Sequence, residues 1–305
     1  MKKALLFPGQ GSQSIGMLNH YDSEIIARIF SKGSEIVGED LLKLTQTDND
    51  KINQTIYTQP IMLLAGFAVY TILKTKKRSL SIDYLAGHSL GEITAALAGE
   101  VFCLEDAVKI VQKRSQLMQE AVPHGEGAMA AILGLDDEQV KNICKEMNSK
   151  GVIEPVNFNS PGQVVVAGEK KIIECSLPLF KEKGAKRALL LPVSVPSHCS
   201  LMINAEKLFK DFLEKIEFKD SVIPIVQNVC AKPVTNHLEI KSNLISQLSN
   251  PVLWTSTIEF LGGDQVSMFV ECGPGKVLTG LNKRIIKSDS STNLALVSDE
   301  SFNEF

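Results

Sequence analysis

A serine nucleophile is the first chemistry that the sequence suggests. Ser89 lies at the centre of a G-x-S-x-G pattern over residues 87–91, between a predicted strand (Leu80 to Gly87) and a predicted helix that begins at Leu90. A sharp strand-to-helix turn projects such a hydroxyl, and the flanking glycines remove Cβ atoms that would clash in it. The amides and dipole of the following helix suit a developing oxyanion. A tight structural turn with a satisfied hydroxyl is the alternative interpretation.

An attacking serine needs a base at neutral pH, and histidine is the commonest one. The chain has five histidines. His88 adjoins the serine in a turn, where its ring is expected to point away from the hydroxyl. His198 lies where the chain returns to the main domain after a predicted insertion, which makes it the candidate base. A lone histidine is more often structural than catalytic, and the other three lie in polar or loop-like segments: His20, His124 and His237.

A buried arginine is the second unusual feature. Arg114 falls in register with Ala107, Val111 and Met118 on the apolar face of a helix predicted over about 104–121. A guanidinium there costs on the order of several kcal/mol unless an anion answers it. The anion is either a protein carboxylate in a structural salt bridge or a substrate carboxylate held by two parallel hydrogen bonds.

A glycine-rich loop over residues 7–13 ends the first predicted strand. It lacks the Lys-Ser/Thr pair of a Walker loop, and it is not a dinucleotide-binding fingerprint. Its glycines would let the backbone amide of Gln10 approach a reacting carbonyl closely.

The elements that must position these residues fall into two parts. Short regular elements between residues 125 and 195 follow the order β-α-β-β-α-β, the split-βαβ or ferredoxin-like arrangement. We therefore predict an α/β fold, with an α/β-hydrolase-like main domain (1–124 and 196–305) and an inserted ferredoxin-like (βαββαβ) subdomain (125–195). The Ser/Asp-rich tail beyond Lys287 is expected to fray.

Composition restricts the class of protein. Hydrophobic residues make up 44% of the chain, and a formal net charge of −3 gives no field that favours nucleic acid or an anionic membrane. The six cysteines are scattered, without CxxC pairs or metal-ligand spacing to histidine. We therefore expect reduced thiols and no metal site.

The apolar segments predict a soluble protein. The run of four apolar residues before Pro8 is shorter than the ~7–15 residues of a signal-peptide core. The longest apolar helix candidate, Ile61 to Leu73, is far short of the ~18–20 residues that span a bilayer. We expect a cytoplasmic protein that binds no membrane.

Five stretches of the sequence resemble the malonyl-CoA:acyl-carrier-protein transacylase family, in the family's order and spacing from Met1 to about Ile286. The stretches are Phe7-Pro8-Gly9-Gln10-Gly11-Ser12-Gln13, Gly87-His88-Ser89-Leu90-Gly91-Glu92, Asn157-Phe158-Asn159-Ser160-Pro161-Gly162-Gln163, Val195-Pro196-Ser197-His198-Cys199 and Gly273-Pro274-Gly275-Lys276-Val277-Leu278. The chain departs from the family at Ser115, where glycine is frequent. A helix interior accepts serine more readily than glycine, so we expect little consequence.

The resemblance implies a role for each candidate in the chemical step. Ser89 would be the nucleophile and His198 its base, with the histidine steadied by the backbone carbonyl of Gln247. The backbone amides of Gln10 and Leu90 would form the oxyanion hole. A carbonyl in place of a carboxylate would explain why no acidic residue stands out as a third triad member.

Two further positions would act on the acyl group. Arg114 would pair with the free carboxylate of a malonyl group. Ser197 occupies a position associated with acyl selectivity in related polyketide enzymes, and its small hydroxyl fits malonyl.

The implied activity is malonyl transfer from malonyl-CoA to the phosphopantetheine thiol of acyl carrier protein, by a monomer that supplies fatty-acid elongation without a cofactor. Three alternatives stay open: a stand-alone acyltransferase that serves a polyketide synthase, a serine thioesterase or esterase, and a non-catalytic carrier-binding scaffold. A hydrolase would give no reason for Arg114 on an apolar face, and it should show an acidic triad member.

Overall fold

The computed structural model of the chain describes residues 2–193, 195–287 and 291–304. Met1, Ser194, residues 288–290 and Phe305, which belong to the predicted domain ranges, lie outside them. The strands are β1 (Lys2–Phe7), β2 (Tyr84–Gly87), β3 (Gly127–Leu133), β4 (Ile153–Ser160), β5 (Gln163–Glu169), β6 (Arg187–Leu190), β7 (Ile225–Val226), β8 (Pro233–Val234), β9 (Val266–Cys272) and β10 (Thr292–Leu296). The α-helices are α1 (Ser23–Val37), α2 (Leu41–Gln46), α3 (Thr55–Lys76), α4 (Leu90–Ala98), α5 (Leu104–Glu120), α6 (Asp137–Met147), α7 (Lys170–Glu182), α8 (Ile203–Leu213), α9 (His237–Ser246), α10 (Trp254–Gly263) and α11 (Val277–Ile285).

The main sheet has the strand order β10-β9-β1-β2-β7-β8. The first five strands run parallel, and β8 closes one edge antiparallel to β7. Phe7 pairs with Gly87 at the carboxyl ends of β1 and β2, so the loops that follow these two strands meet. In open parallel sheets, ligands bind in the crevice outside the carboxyl ends of the strands. The loop with Gln10 and the turn with Ser89 are therefore neighbours.

The apolar helix candidate of residues 61–73 is part of a longer helix, α3 (Thr55–Lys76). The prediction that this helix is too short to span a bilayer is therefore wrong. Helix α3 has 22 residues because residues of mixed polarity continue it at both ends, and Lys74 and Lys76 in its last turn suit the negative end of the helix dipole. By length and composition, α3 could cross a membrane, but 72% of its apolar stretch is buried inside the protein. A helix that is apolar on every side is typical of a protein core as well as of a membrane. Here α3 packs against α1, α4 and α5.

The second sheet is antiparallel throughout, with the order β4-β5-β3-β6. Its elements follow one another along the chain as β3-α6-β4-β5-α7-β6. Asp136 and Gln139 form a capping box at the start of α6, which satisfies two backbone amides there. Apolar side chains of both helices, including Val140 and Phe180, pack on one face of this sheet as a separate core.

Backbone hydrogen bonds join the second sheet to the rest of the molecule. The Phe158 amide donates to the Val252 carbonyl (3.0 Å), and the Val252 amide donates to the Val156 carbonyl (2.8 Å). Strand β4 is thereby fixed beside the segment that leads from α9 to α10. This junction lets residues of the second sheet reach the crevice of the main sheet.

The expected fraying of the C-terminal tail is wrong for residues 291–304; residues 288–290 lie outside the described part. Strand β10 pairs in parallel with β9 at the sheet edge. Beyond it, Phe302 is buried and packs its ring edge-on against Tyr21. The Ser/Asp composition concealed a short apolar alternation that includes Leu294 and Leu296, which the sheet edge and α11 accept.

Candidate active site

The turn that carries Ser89 is strained. Ser89 has φ 52° and ψ −109°, a conformation that L-residues rarely adopt. A Cβ atom on Gly87 would lie 1.9 Å from the carbonyl carbon of Gly91, and one on Gly91 would lie 2.0 Å from the carbonyl oxygen of Phe7. Both glycines are therefore required by close backbone approach at this strand-to-helix turn.

His198 lies beside the nucleophile. Its Nε2 is 2.7 Å from the Ser89 hydroxyl oxygen, and its Nδ1 is 2.6 Å from the backbone carbonyl oxygen of Gln247. A carbonyl oxygen only accepts, so Nδ1 carries the hydrogen and Nε2 is free to accept the serine proton. Burial, reinforced by the charge of Arg114, lowers the pKa of His198 to about 3. The imidazole is therefore neutral at neutral pH, which is the form that a general base needs.

Arg114 reaches the same hydroxyl from α5. Its Nη2 donates to the Ser89 hydroxyl oxygen (3.2 Å) and to the Gln247 side-chain oxygen (2.8 Å), and its Nη1 donates to the Gln59 side-chain oxygen (2.8 Å). Arg114 is 1% exposed, and its Nε has no hydrogen-bond partner. Burial lowers its pKa to about 10, and the charge of Glu92 opposes this shift.

The partners of the guanidinium are neutral. No carboxylate lies within 4.0 Å of Arg114 in residues 2–193, 195–287 and 291–304. The structural salt bridge that the sequence left open is therefore not formed in this part of the chain. A fully buried cation without an adjacent anion can accept an anionic ligand as its partner.

Gln10 and Leu90 line a cavity of about 460 Å³ together with Ser89, Arg114 and His198. The Thr55 hydroxyl donates to the Gln10 side-chain oxygen (2.9 Å), which fixes the loop after β1. Leu90 begins α4, so its amide lies at the positive end of that helix. Across the described ranges, neither the Gln10 nor the Leu90 amide donates to a protein acceptor.

The second sheet closes the opposite side of the cavity. Met129, Asn157 and Leu191 line it from that side, and Ser197 lines it next to His198. The Ser197 hydroxyl is 3.5 Å from the Val195 carbonyl oxygen, a marginal hydrogen bond, so it remains available to a ligand. A cavity of this size lies in the usual range for small-molecule sites. In the described ranges, no group of three or more His, Cys, Asp or Glu residues is suited to hold a metal ion.

Comparison with known proteins identifies the family of the chain. A family model described as "Acyl transferase domain" matches residues 4–299. The malonyl CoA-acyl carrier protein transacylase of Haemophilus influenzae is 47% identical over 290 residues, which are 94% of this chain and 93% of that protein. This chain belongs to the malonyl-CoA:acyl-carrier-protein transacylase family.

Solved structures of this transacylase family share the whole fold. An acyl carrier protein S-malonyltransferase from Vibrio cholerae superposes with a TM-score of 0.95 at 44% identity, over 100% of this chain and 99% of that chain. A malonyl-transacylase solved in complex with its type II polyketide-synthase acyl-carrier protein superposes with a TM-score of 0.94 at 42% identity, over 99% of this chain and 98% of that chain. The mixed α/β class predicted from the sequence is confirmed.

The structure brings together all seven residues that the sequence singled out. Six of them line the cavity, and the seventh, Gln247, lies behind it and contacts both His198 and Arg114. His88 turns away from the hydroxyl as expected, because its Nε2 pairs with the Asn159 side-chain oxygen (2.7 Å) and its ring packs beside Trp254.

Sequence reasoning missed three polar residues that support this transacylase-family site. Asn228 accepts the Ser89 amide hydrogen (2.8 Å) and donates to the Gly87 carbonyl (2.7 Å), which clamps the strained turn. The side-chain oxygen of Gln59 accepts a hydrogen bond from Arg114, and the carboxylate of Glu92 accepts one from the side-chain amide of Gln247. A usable signal existed only for Glu92, a single carboxylate in a helix whose other residues are mostly apolar.

Proposed function

We propose that this protein transfers the malonyl group of malonyl-CoA to the phosphopantetheine thiol of acyl carrier protein, through a malonyl-Ser89 intermediate, and so supplies fatty-acid elongation. The observation that carries the proposal is Arg114. It is a buried cation with only neutral partners, and it touches the nucleophile's oxygen. An acyl group that ends in a carboxylate forms an ion pair with this cation, whereas an acetyl group or a long alkyl chain leaves the cation unpaired.

The first half-reaction acylates the serine. His198 Nε2 takes the hydroxyl proton while Ser89 Oγ attacks the thioester carbon, and the carbonyl oxygen becomes an oxyanion that the Gln10 and Leu90 amides stabilise. When the carbon–sulfur bond breaks, coenzyme A leaves as a thiol with the proton from His198. The Gln247 carbonyl holds the imidazole in the required tautomer and stabilises its charged form.

The second half-reaction runs in reverse with a different thiol. His198 deprotonates the phosphopantetheine thiol, the thiolate attacks the malonyl ester, and Ser89 recovers its proton. Arg114 keeps the carboxylate end of the ester in place between the two steps. Ser197 lines the cavity beside His198, and its small hydroxyl leaves room for the malonyl chain.

The same proposal includes the setting of the enzyme. The substrates are malonyl-CoA and phosphopantetheinylated acyl carrier protein, without a further cofactor or metal, and the protein acts as a cytoplasmic monomer that binds neither nucleic acid nor membrane. We describe residues 1–124 and 196–305 as an α/β-hydrolase-like main domain and residues 125–195 as an inserted ferredoxin-like subdomain. The strand order β4-β5-β3-β6 with two helices on one face supports the second description.

Intact-protein mass spectrometry after brief mixing with malonyl-CoA tests the proposal. We expect one malonyl adduct in the wild type, no adduct in Ser89→Ala, and discharge of the adduct by acyl carrier protein. Free malonate without an adduct would identify a hydrolase. No adduct and no turnover would identify a non-catalytic scaffold.

The partner is tested in the same assay with two carrier proteins. One structural neighbour was solved with a polyketide-synthase carrier protein. We expect the host's fatty-acid carrier protein to discharge the adduct faster than a polyketide carrier protein does. The opposite order would assign the enzyme to polyketide synthesis.

A further inference from the structure

A buried carboxylate lies directly behind the nucleophile turn and takes no part in the chemistry described above. Glu92 is 1% exposed and lies one helical turn after Ser89 in α4. One carboxylate oxygen accepts a hydrogen bond from the backbone amide of Asn228 (3.2 Å), and the other accepts one from the side-chain amide of Gln247. Both oxygens therefore act as acceptors, which is the pattern of an ionised carboxylate.

The Gln247 side chain has a single productive orientation in this setting. Its nitrogen faces three acceptors: Glu92, the Ser89 carbonyl oxygen (3.0 Å) and the Asn228 side-chain oxygen (3.2 Å). Its oxygen consequently faces Arg114 and accepts from Nη2 (2.8 Å). If the amide flipped, its NH₂ group would meet the guanidinium, and two donors would oppose each other.

The three groups form a hydrogen-bonded chain from carboxylate to amide to guanidinium. We propose that Glu92 is a positioning residue that acts as the indirect counter-ion of Arg114 through the Gln247 amide, and so keeps the guanidinium aimed at the carboxylate of the acyl group. This inference rests on the proposed function. Hydrogen-bonded chains polarise one another in a low-dielectric interior, so the carboxylate strengthens the Gln247–Arg114 bond.

The indirect arrangement has a consequence for the substrate. A carboxylate in direct contact with Arg114 would occupy the N–H groups that a malonyl carboxylate needs. Glu92 compensates the buried charge from a distance, and the guanidinium still has N–H donors without a protein partner in the described ranges, including Nε. The site is thereby neutralised without being blocked.

The test is the donor preference of Glu92→Gln. The new amide has one acceptor oxygen for the two donors, so it loses either the Asn228 backbone amide or the Gln247 side-chain amide, and the negative charge that strengthens the Gln247–Arg114 bond is lost in both cases. We expect kcat/KM with malonyl-CoA to fall by about 10- to 100-fold through misplacement of Arg114. Transfer from acetyl-CoA should change by less than about threefold, because an acetyl group makes no use of Arg114. Assays are run at pH 8, since burial raises the pKa of Glu92 to about 7.

Glu271→Gln is the matched control. Glu271 is also buried, but its carboxylate accepts the Leu278 and Thr279 amides at the start of α11, away from the cavity. We expect this variant to lower stability without changing the malonyl-to-acetyl preference. Equal losses for the two donors in Glu92→Gln, or a shifted preference in Glu271→Gln, would overturn the assignment. If Glu92→Gln does not fold, Glu92→Asp replaces it; this variant keeps the charge but reaches only one of its two donors, and it should show the same selective loss.

A double-mutant cycle separates this inference from the proposed function. In an Arg114→Ala background, Glu92→Gln should have no further effect on the donor preference, because both changes remove the same interaction. Additive effects would contradict the indirect counter-ion role. If the wild type forms no malonyl adduct, the proposed function is wrong, and the double-mutant cycle cannot be measured because it requires a rate of malonyl transfer. A wild type that transfers malonyl while Glu92→Gln keeps its preference refutes only the role of Glu92.

Discussion

The core of the second sheet and the surroundings of Ser89 are both buried, but they contain different kinds of side chain. The second core consists mainly of apolar residues such as Ile132, Val164 and Phe180, on regular strands and helices. The nucleophile turn is surrounded by charged and amide side chains, and Ser89 and His198 both have positive φ. One region obeys the local rules of folding, and the other breaks several of them within a few residues.

This contrast indicates which region stabilises the folded state and which region destabilises it. Apolar burial in the regular regions favours the folded state, whereas a strained turn and a buried guanidinium oppose it. Proteins tolerate such violations mainly at functional sites, where they contribute to activity. Substitution of a side chain that contacts the reacting groups near Ser89 should therefore affect activity more than stability, and substitution in the second core should affect stability more than activity.

Arg114→Ala should give the largest effect. Removal of the guanidinium leaves the malonyl carboxylate unpaired in a buried cavity, a loss of about 4–5 kcal/mol. We expect kcat/KM for malonyl-CoA to fall about 10³- to 10⁴-fold, with acetyl transfer nearly unchanged, measured as rates of carrier-protein acylation. Lys109→Ala, at an exposed position of the same helix, is the control. An equal fall for the two donors would remove the carboxylate-binding role of Arg114.

Phe180→Ala should show the opposite behaviour. Phe180 is fully buried in α7 and does not line the cavity. Loss of a buried phenylalanine costs about 3–5 kcal/mol through transfer and cavity terms, so the denaturation midpoint should fall clearly. The malonyl-to-acetyl preference, measured below the unfolding temperature, should stay that of the wild type. The exposed neighbour Lys181→Ala should leave both quantities unchanged, and a shifted donor preference in Phe180→Ala would erase the proposed division between the two regions.

The same division governs what could be predicted from the sequence. Local patterns predicted the element order of the second sheet, because alternation and capping specify short elements directly: the order β-α-β-β-α-β predicted between residues 125 and 195 is the observed order β3-α6-β4-β5-α7-β6. They also indicated Ser89, whose turn is defined by glycines two residues away. Residues recognisable by local sequence are therefore the ones that the chain positions locally.

The supporting residues could not be predicted because they act through distant partners. Gln59 meets Arg114 across 55 positions, and Asn228 meets Ser89 across 139. Asparagine and glutamine are common surface residues, so neither one stands out before the fold is known. The predicted strand Leu80–Gly87 is too long for the same reason. Pairing partners limit the observed strand to Tyr84–Gly87, and local propensity contains no information about partners.

The smallest expected effect is a pH dependence of stability that comes from Glu92, in the polar region around Ser89. Burial raises the pKa of Glu92 from its ordinary value of 4.5 to about 7 in the folded protein. Between these two values the folded state holds a proton that the unfolded state has lost. The contribution of Glu92 to stability is therefore complete below pH 4.5 and decreases as pH rises to about 7, by about 3 kcal/mol in total.

Wild-type protein and Glu92→Gln should diverge over this window. The free energy of unfolding of the wild type, measured by urea denaturation from pH 4 to 8, should fall relative to the variant between about pH 4.5 and 7 and then run parallel to it. His198, whose pKa is lowered by burial to about 3, contributes a slope of the opposite sign, but it is present in both proteins and cancels in the difference. Parallel curves throughout would mean that Glu92 ionises as easily as an exposed carboxyl, and the buried polar region would then be better solvated than its geometry indicates.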